Sequence, residues 1–393
     1  MKKVFYILAF VVLTGVTVLC CIRWNAWFYN PPEPKWPNDT LDFRFITFGA
    51  DSLKGFTKNE NNVWKDTLSP DTLRFIIFGD VHNNINTEEW NNIYKRHPYI
   101  DFYAQAGDFL ERGYFYYYQL SASKIKETSF DSLPLIAVPG NHEYKKGIVR
   151  QLPEQWKVWF PNPDNGPARY KGTSYYVDFD KLRFIVIDTN GLHILSDYTT
   201  LVTWINKVIS EASDKFTVVM MHHPVYSSAV GRQNLAVRIF LRRSLEKADI
   251  VFSGHDHNYS RRLPFIGTNS AEKFYLSKVN DADERICSGE KLYEEVSVSG
   301  NTMRVRTFLM KNGEKYDEIT INKLPDGSSK YTCDTLLMPE IIELPEKYKN
   351  KDNNKVRTFF EKREVRLKNS GQATIDSVVI KTDSLQQSDT LHI

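Results

Sequence analysis

Short apolar segments alternate with segments of helical periodicity across the middle of the chain. The apolar segments are brief and flanked by Gly or Pro, which favours buried strands over helices. They lie at residues 73–78, 100–106, 135–138, 216–221 and 250–252. Between them, helices are predicted at residues 87–95, 114–125, 199–212 and 234–247. The alternation is typical of strand–helix–strand units and predicts an α/β fold.

Further apolar segments predict antiparallel strands. Residues 175–179 and 182–187, separated by Asp180-Lys181, form a predicted hairpin. Residues 293–298, 303–309 and 316–321 form a predicted meander, and its turns, Gly300-Asn301 and Asn312-Gly313, are strong hairpin signals. We therefore expect two packed sheets with helices outside them.

Five of the predicted strands end in a short polar motif. In chain order the motifs are Gly79-Asp80-Val81-His82, Gly107-Asp108, Gly140-Asn141-His142-Glu143, His222-His223-Pro224 and Gly254-His255-Asp256-His257. In α/β sheets, ligands bind beyond the carboxyl ends of the strands. We therefore expect these five motifs to converge on one site.

The side chains in these motifs are metal-ligand types. The candidate ligands are Asp80, His82, Asp108, Asn141, His222, His255 and His257. Carboxylate, carboxamide oxygen and imidazole together suit Zn, Fe or Mn. Seven ligands are too many for one tetrahedral zinc, but they suit two ions if one carboxylate bridges. Six of the nine histidines fall in these motifs. Histidines that merely pack in a core or lie on the surface would not be concentrated at strand ends in this way.

In this order, the motifs resemble those of the calcineurin-like metallophosphoesterase superfamily, over about residues 73–323. The resemblance implies a four-layer αββα sandwich of two mixed sheets with flanking helices. It also implies a dinuclear centre that cleaves phosphate esters with a hydroxide bridging the two divalent or trivalent ions. One ion would be held by Asp80, His82 and His257, and the other by Asn141, His222 and His255, with Asp108 bridging. His142 would lie over the centre and assist the leaving alkoxide.

Two branches of the superfamily share features with this chain. The segment from Gly107 to Gly113 resembles the Ser/Thr protein phosphatase signature, in which an arginine grips phosphate. Arg112 is therefore a candidate phosphate clamp, with a surface arginine near a helix start as the alternative. The meander and Pro224-Val225-Tyr226 are closer to bacterial relatives of purple acid phosphatases. Those enzymes carry a metal-binding tyrosine where this chain has Glu111, which argues against a ferric–tyrosinate centre.

The N-terminal residues predict export. Lys2 and Lys3 precede an uncharged apolar run at residues 4–22, close to the roughly 20 residues that span a bilayer. An uncleaved signal anchor is the favoured interpretation, with a lipoprotein or a cleaved signal peptide as alternatives. Each of them places the rest of the chain outside the cytoplasm, in the periplasm or at the cell surface.

Changes in composition suggest four segments. They are a signal anchor or signal peptide at 1–23, a linker and lead-in at 24–70, a catalytic domain at 71–323 and a C-terminal appendage at 324–393. The appendage has two candidate strands, at 365–367 and 377–380; a tail wrapped on the main domain is the alternative. Outside the apolar run, the only cysteines are Cys287 and Cys333, which leaves a single disulfide open.

Charge and composition narrow the function. The chain has 51 Lys+Arg and 48 Asp+Glu, and the three basic residues in excess all lie within residues 1–23. A nucleic-acid partner is not expected, because such proteins usually carry a basic excess. We expect an exported, membrane-attached phosphoesterase acting on phosphomonoesters. The alternatives are a phosphodiesterase acting on nucleotides or lipids, and a surface binding protein that keeps the fold without turnover.

Overall fold

The computed structural model describes residues 32–35, 41–128, 132–145, 150–192, 195–275, 277, 284–287, 289–333, 377–380 and 389–392. The predicted apolar run at 4–22 and the candidate strand at 365–367 lie outside these residues. Among the residues described, no helix combines the length and apolar character needed to cross a bilayer.

The strands and helices are as follows. The strands are β1 (Phe56–Lys58), β2 (Val63–Asp66), β3 (Leu73–Phe78), β4 (Phe102–Gln105), β5 (Leu135–Ala137), β6 (Tyr175–Phe179), β7 (Leu182–Ile187), β8 (Phe216–Met221), β9 (Ile250–Ser253), β10 (Tyr259–Arg262), β11 (Phe265–Gly267), β12 (Arg285–Cys287), β13 (Leu292–Ser299), β14 (Thr302–Leu309), β15 (Lys315–Lys323), β16 (Ser329–Cys333), β17 (Ser377–Ile380) and β18 (Asp389–His392). The helices are α1 (Thr87–Arg96), α2 (Phe115–Ile125), α3 (Gln155–Trp159), α4 (Leu195–Ser210) and α5 (Leu235–Leu245).

Two mixed sheets carry the fold, as predicted. A nine-stranded sheet has the order β1-β2-β6-β7-β8-β9-β11-β10-β12, and a seven-stranded sheet has the order β16-β15-β14-β13-β3-β4-β5. Each sheet contains a parallel segment, β7–β8–β9 within the first and β3–β4–β5 at one edge of the second, and each segment adjoins an antiparallel pair. The carboxyl ends of the parallel strands therefore supply the site.

Three apolar clusters define four layers. In β3, Phe75 and Ile77 join the cluster between the two sheets, whereas Ile76 and Phe78 join the cluster beneath the helices on the outer face. A third cluster packs the nine-stranded sheet against α4 and α5. Since side chains alternate across a strand, a strand covered on both faces is apolar throughout. This is why the central strands could be recognised as continuous apolar runs.

The element boundaries follow the predictions closely in the centre of the chain. The predicted strands at 73–78, 175–179, 182–187 and 216–221 have the observed bounds. Helix α4 differs, because it begins at Leu195 rather than at residue 199. Its first turn includes Asp197, a buried carboxylate that accepts a hydrogen bond from Arg169 Nη1 at 2.5 Å.

The sheets extend past both ends of the segment predicted as catalytic. Strands β1 and β2, within the predicted lead-in, join the nine-stranded sheet next to β6. Strand β16, past residue 323, pairs with β15. The strand predicted at 377–380 is β17, and it pairs with β18 in a separate two-stranded sheet. The division at 71 and 323 stays a prediction.

A phenylalanine between the sheets provides a test of this packing. Phe102 stacks on Phe75 of its own sheet at 4.7 Å between ring centroids and on Phe179 of the other sheet at 5.3 Å. We expect Phe102→Ala to lower the free energy of unfolding by about 3–5 kcal/mol, because the cavity cannot close between two sheets. Urea titration measures this loss. Leu68→Ala, at a position 83% exposed, is the control and should change stability by less than about 0.5 kcal/mol. A loss equally small for Phe102→Ala would contradict the four-layer packing.

Candidate metal centre

Strand ends from both sheets meet at one cluster of polar side chains. Three groups of potential metal ligands lie there, each with ligand atoms within 4.8 Å of one another. The groups are Asp80, His82, Asp108 and His257; His222, His223 and His255; and His82, Glu111 and His142. The cluster thus brings together the predicted ligands of all five strand ends, with Asn141 joining through His222.

The first group consists of two carboxylates, Asp80 and Asp108, and two imidazoles, His82 and His257. Asp80 Oδ1 lies 3.5 Å from His257 Nε2, and His257 Nε2 lies 3.2 Å from His82 Nε2. His82 Nε2 lies 3.9 Å from Asp108 Oδ2. Two imidazole nitrogens facing each other beside two carboxylates form a donor set that suits a cation.

The second group centres on His222. Its Nε2 lies 3.1 Å from Asn141 Oδ1, 3.2 Å from His255 Nδ1 and 3.3 Å from Asp108 Oδ2. The same Asp108 oxygen faces His82 of the first group. Asp108 is therefore the carboxylate that borders both groups, which is the position a bridging ligand needs.

Backbone strain is concentrated at the candidate ligands. Among described residues other than glycine, φ is positive at seven positions, and five of these are Asp80, His82, Asp108, His255 and His257. Residues with a Cβ rarely adopt this conformation, which costs about 1–3 kcal/mol each and persists where the surroundings enforce it. It turns the chain sharply at the strand ends, so that consecutive motifs direct their side chains into one centre.

Two glycines allow the loops to approach each other closely. A Cβ at Gly140 would lie 2.1 Å from the Asp108 backbone nitrogen, and a Cβ at Gly254 would lie 2.6 Å from Asp80 Oδ2. A side chain at either position would displace one of the central carboxylates. These glycines therefore serve the site rather than a turn.

Carbonyl groups orient the imidazole rings. His222 Nδ1 lies 3.0 Å from the Ala106 carbonyl oxygen, and His257 Nδ1 lies 2.5 Å from that of Lys273. A carbonyl accepts a hydrogen bond, so each Nδ1 carries a proton and each Nε2 is the nitrogen turned towards the centre. Such support is typical of histidine metal ligands.

Glu143 holds three loops together. Its carboxylate is buried and accepts hydrogen bonds from the backbone N–H groups of Asp108 at 3.0 Å, Leu110 at 2.8 Å and Gly140 at 2.6 Å. Its partners are therefore amides of the loops that carry Asp108 and Asn141.

The electrostatics of the cluster keep His82 neutral and pair a protonated His222 with the ionised carboxylate of Asp108. Burial lowers the pKa of His82 to about 3. Burial would raise the pKa of Asp108, but His222 and His142 hold it well below its usual range. Burial disfavours the charged form of His222 too, yet Asp108 raises its pKa to about 9. A proton on His222 thus balances the Asp108 charge, and a bound cation would take over that role.

The pKa of Glu143 is raised, whereas that of Asp108 is lowered. Burial, and then the charge of Asp108, raise the pKa of Glu143 to about 8. The hydrogen bonds from the backbone amides of Leu110 and Gly140 oppose this shift. The negative charge is therefore kept on Asp108, at the centre of the cluster.

The two candidate catalytic residues differ in placement. The His142 side chain is 35% exposed, with Nδ1 2.6 Å from the Glu111 carbonyl oxygen and Nε2 4.0 Å from Asp108 Oδ2. It therefore lies at the open side of the cluster. Arg112 is half-buried on the loop after Asp108, and within the described residues its guanidinium takes part in no hydrogen bond or ion pair. Its role as a phosphate clamp stays a prediction.

A sixth strand end contributes residues that the sequence reasoning missed. After β7, the Thr189 hydroxyl lies 2.9 Å from His223 Nδ1, and Asn190 Nδ2 donates to the Pro139 carbonyl oxygen at 2.7 Å. The His223 ring lies 4.5 Å from that of His255, so His223 faces the cluster instead of only packing beside Pro224. The signal was available, because an apolar run ending in Asp188-Thr189-Asn190 is another strand with a polar end.

Comparison with known proteins agrees with this geometry. Residues 73–259 match the family model for calcineurin-like phosphoesterases. This match confirms the resemblance seen in the motifs.

Two curated relatives are named as a phosphodiesterase and a phosphatase. The chain is 26% identical over 133 residues to glycerophosphodiester phosphodiesterase GpdQ of Enterobacter lignolyticus, covering 32% of this chain and 45% of that protein. It is 25% identical over 155 residues to purple acid phosphatase 4 of Arabidopsis thaliana, covering 36% and 46%. The chain therefore spans about half the length of the curated relatives it matches.

A solved structure supports the fold. Purple acid phosphatase PPD1 from seeds of yellow lupin, Lupinus luteus, superposes with a TM-score of 0.51 at 16% identity. The match covers 64% of this chain and 54% of the lupin chain.

The role of Glu143 generates a prediction about metal affinity. Glu143→Ala removes the acceptor of three buried amides and releases the loops that carry Asp108 and Asn141. We expect metal affinity to fall by about 10–100-fold, the usual effect of losing a group that positions ligands. Competition with a metal-sensitive dye measures this change, and Glu143→Gln should recover part of it. Glu60→Ala, on an exposed loop, is the control. Unchanged affinity in Glu143→Ala would mean that the loops hold themselves in place.

Proposed function

We propose that this chain is a dinuclear-metal phosphoric ester hydrolase that acts on phosphomonoesters. The observation that carries the proposal is the position of Asp108 Oδ2, which lies 3.9 Å from His82 Nε2 and 3.3 Å from His222 Nε2. One carboxylate between two imidazole groups matches the donor arrangement of a two-ion centre.

The side chains fit the ligand division expected from the family resemblance. Asp80, His82 and His257 would hold one ion, Asn141, His222 and His255 the other, and Asp108 both. Fe, Zn and Mn all suit these oxygen and imidazole donors. When bound, two such ions stabilise the negative charge that develops on the phosphoryl oxygens.

His142 is placed to protonate the leaving group. Its Nδ1 proton is held by the Glu111 carbonyl oxygen at 2.6 Å, so a second proton on the ring must reside on Nε2. That nitrogen faces the cluster from its open side, 4.0 Å from Asp108 Oδ2. From that position Nε2 can donate a proton to the departing alkoxide.

Removal of this acid should depend on the leaving group. We expect His142→Ala to lower turnover of an alkyl phosphate by about 10²–10⁴-fold, the usual range for general acid catalysis, with metal content unchanged. Steady-state rates and metal analysis of the same preparation measure this. An aryl phosphate with an acidic leaving group needs no proton and is the internal control. Equal losses on both substrates would remove His142 from the proton transfer.

The preference for monoesters rests on Arg112 and on charge. A phosphomonoester dianion carries one more ionised oxygen than a diester, so a guanidinium beside the centre assists monoesters more. Arg112 lies four positions after Asp108, and a guanidinium can hold two phosphate oxygens at once.

Arg112→Ala tests this preference. We expect monoester turnover to fall more than diester turnover, by about 1–3 kcal/mol in kcat/KM, the range for charged hydrogen bonds. Parallel assays on one monoester and one diester with the same leaving group give the difference. Arg304→Ala, exposed on β14, is the matched control and should leave both rates unchanged. If Arg112→Ala lowers the two rates equally, Arg112 has a structural role.

A phosphodiesterase acting on nucleotides or lipids is the second candidate. The observation in its favour is the similarity to a glycerophosphodiester phosphodiesterase. Wild-type protein that hydrolyses only diesters would establish this candidate over the first. A binding protein without turnover is disfavoured, because every predicted ligand side chain faces the cluster.

Export and membrane attachment are part of the proposal. They rest on Lys2, Lys3 and the apolar run at residues 4–22. Cell fractionation should recover the full chain with membranes, and protease added from the non-cytoplasmic side should digest it. Intact full-length protein in the cytosolic fraction would contradict this part of the proposal.

A further inference from the structure

An apolar ridge stands exposed on the helical layer that covers the nine-stranded sheet. It consists of Leu195 at the start of α4, exposed by 62%, and Leu235, Ile239 and Phe240 of α5, exposed by 58%, 62% and 38%. Leu235 and Ile239 are one helical turn apart, and the Phe240 ring packs on Tyr198 of α4 at 4.6 Å. The ridge is therefore contiguous across both helices.

Helix α5 has apolar side chains on its buried side and also on its exposed side. Its inner side is anchored by Val237, Leu241 and Leu245, which are buried in the cluster beneath the helix. The exposed side chains of Leu235 and Ile239 are consequently not needed for packing within the domain. Exposed apolar surface of this extent marks an interaction site.

An arginine cluster borders the ridge. The Arg262 and Arg238 guanidinium carbons lie 3.7 and 4.9 Å from the centre of the Tyr226 ring. Arg242, on the same helix as Arg238, lies 3.8 Å from Glu246, and this ion pair is exposed to solvent. Helix α5 itself contains three arginines and no acid.

The same face borders the candidate metal centre. Tyr226 follows His222 by four residues on the loop after β8. Arg232, three residues before Leu235, donates a hydrogen bond to the backbone carbonyl of His255. The segment that leads into the ridge therefore contacts the loop that carries His255.

The chemistry of the face favours a lipid surface over a protein. Apolar side chains that project between arginines match the acyl and headgroup layers of an anionic bilayer. A second copy of the chain would bring two arginine clusters together, and like charges in an interface are costly. We propose that the ridge and the arginine cluster dock the domain on an anionic phospholipid surface. This proposal does not depend on the proposed hydrolysis.

Site-specific protection from alkylation tests the proposal in the full chain. Ile239→Cys introduces a thiol on the ridge, and Val158→Cys introduces one on α3, at a position 50% exposed in the opposite helical layer. Each variant is treated with a maleimide with and without vesicles of phosphatidylglycerol and phosphatidylcholine, and peptide mass spectrometry reads the introduced thiol alone. Leu235→Cys replaces Ile239→Cys if the latter misfolds.

We expect anionic vesicles to slow alkylation at position 239 by about tenfold when about nine tenths of the protein is bound. Position 158 should be unaffected, and vesicles of phosphatidylcholine alone should protect neither. Adding Arg238→Glu and Arg242→Glu should abolish protection at position 239.

Other outcomes would overturn the proposal. Equal protection at positions 239 and 158 would mean that the vesicles act through residues elsewhere, such as the apolar run at 4–22. Protection that needs no vesicles and increases with protein concentration would assign the ridge to a second copy. Alkylation unaffected by vesicles at both positions would leave the ridge without a lipid partner.

Discussion

The carboxylate of Asp108 is the interaction on which the site depends. It is buried, and one of its oxygens faces imidazole nitrogens supplied by three different loops, those of His82, His142 and His222. A buried carboxylate is costly unless positive charge accompanies it. The donor groups around it are those of a cation site. The buried negative charge that would destabilise an ordinary core is therefore what would attract a cation here.

Holding that carboxylate in place imposes strain that the rest of the fold must offset. Five candidate ligands adopt left-handed backbone conformations, and two glycines bring loops into contact with Asp80 and Asp108. Three apolar clusters and the continuous hydrogen bonding of two sheets support these strained ends. Glu143 extends the same support inward, because it satisfies three amides that would otherwise be buried without partners. The packed layers thus stabilise the left-handed backbone conformations of the candidate ligands.

The sequence predicted best the parts of the molecule in which one physical rule acts alone. Central strands such as β3 and β8 are covered on both faces, so their apolar runs were unambiguous. The candidate metal ligands were recognisable in the sequence because they lie in polar motifs that follow buried strands. Strands β1 and β2 were missed, since they are short, partly exposed and mixed in polarity. The role of Glu143 could not be read from the sequence, because its partners are backbone amides of loops that meet only in the folded chain.

The pairing of β3 has a consequence for how the chain acquires its site. Leu73 of β3 pairs with Val298 of β13, more than half the chain length later. Until β13 is available, β3 is left with β4 as its neighbour and an open edge on its other side. Such distant pairing closes slowly, because a long loop must be ordered before the contact forms. Asp80 follows β3 directly, so the loop that carries it gains its full support only after β13 has been synthesised and has paired with β3.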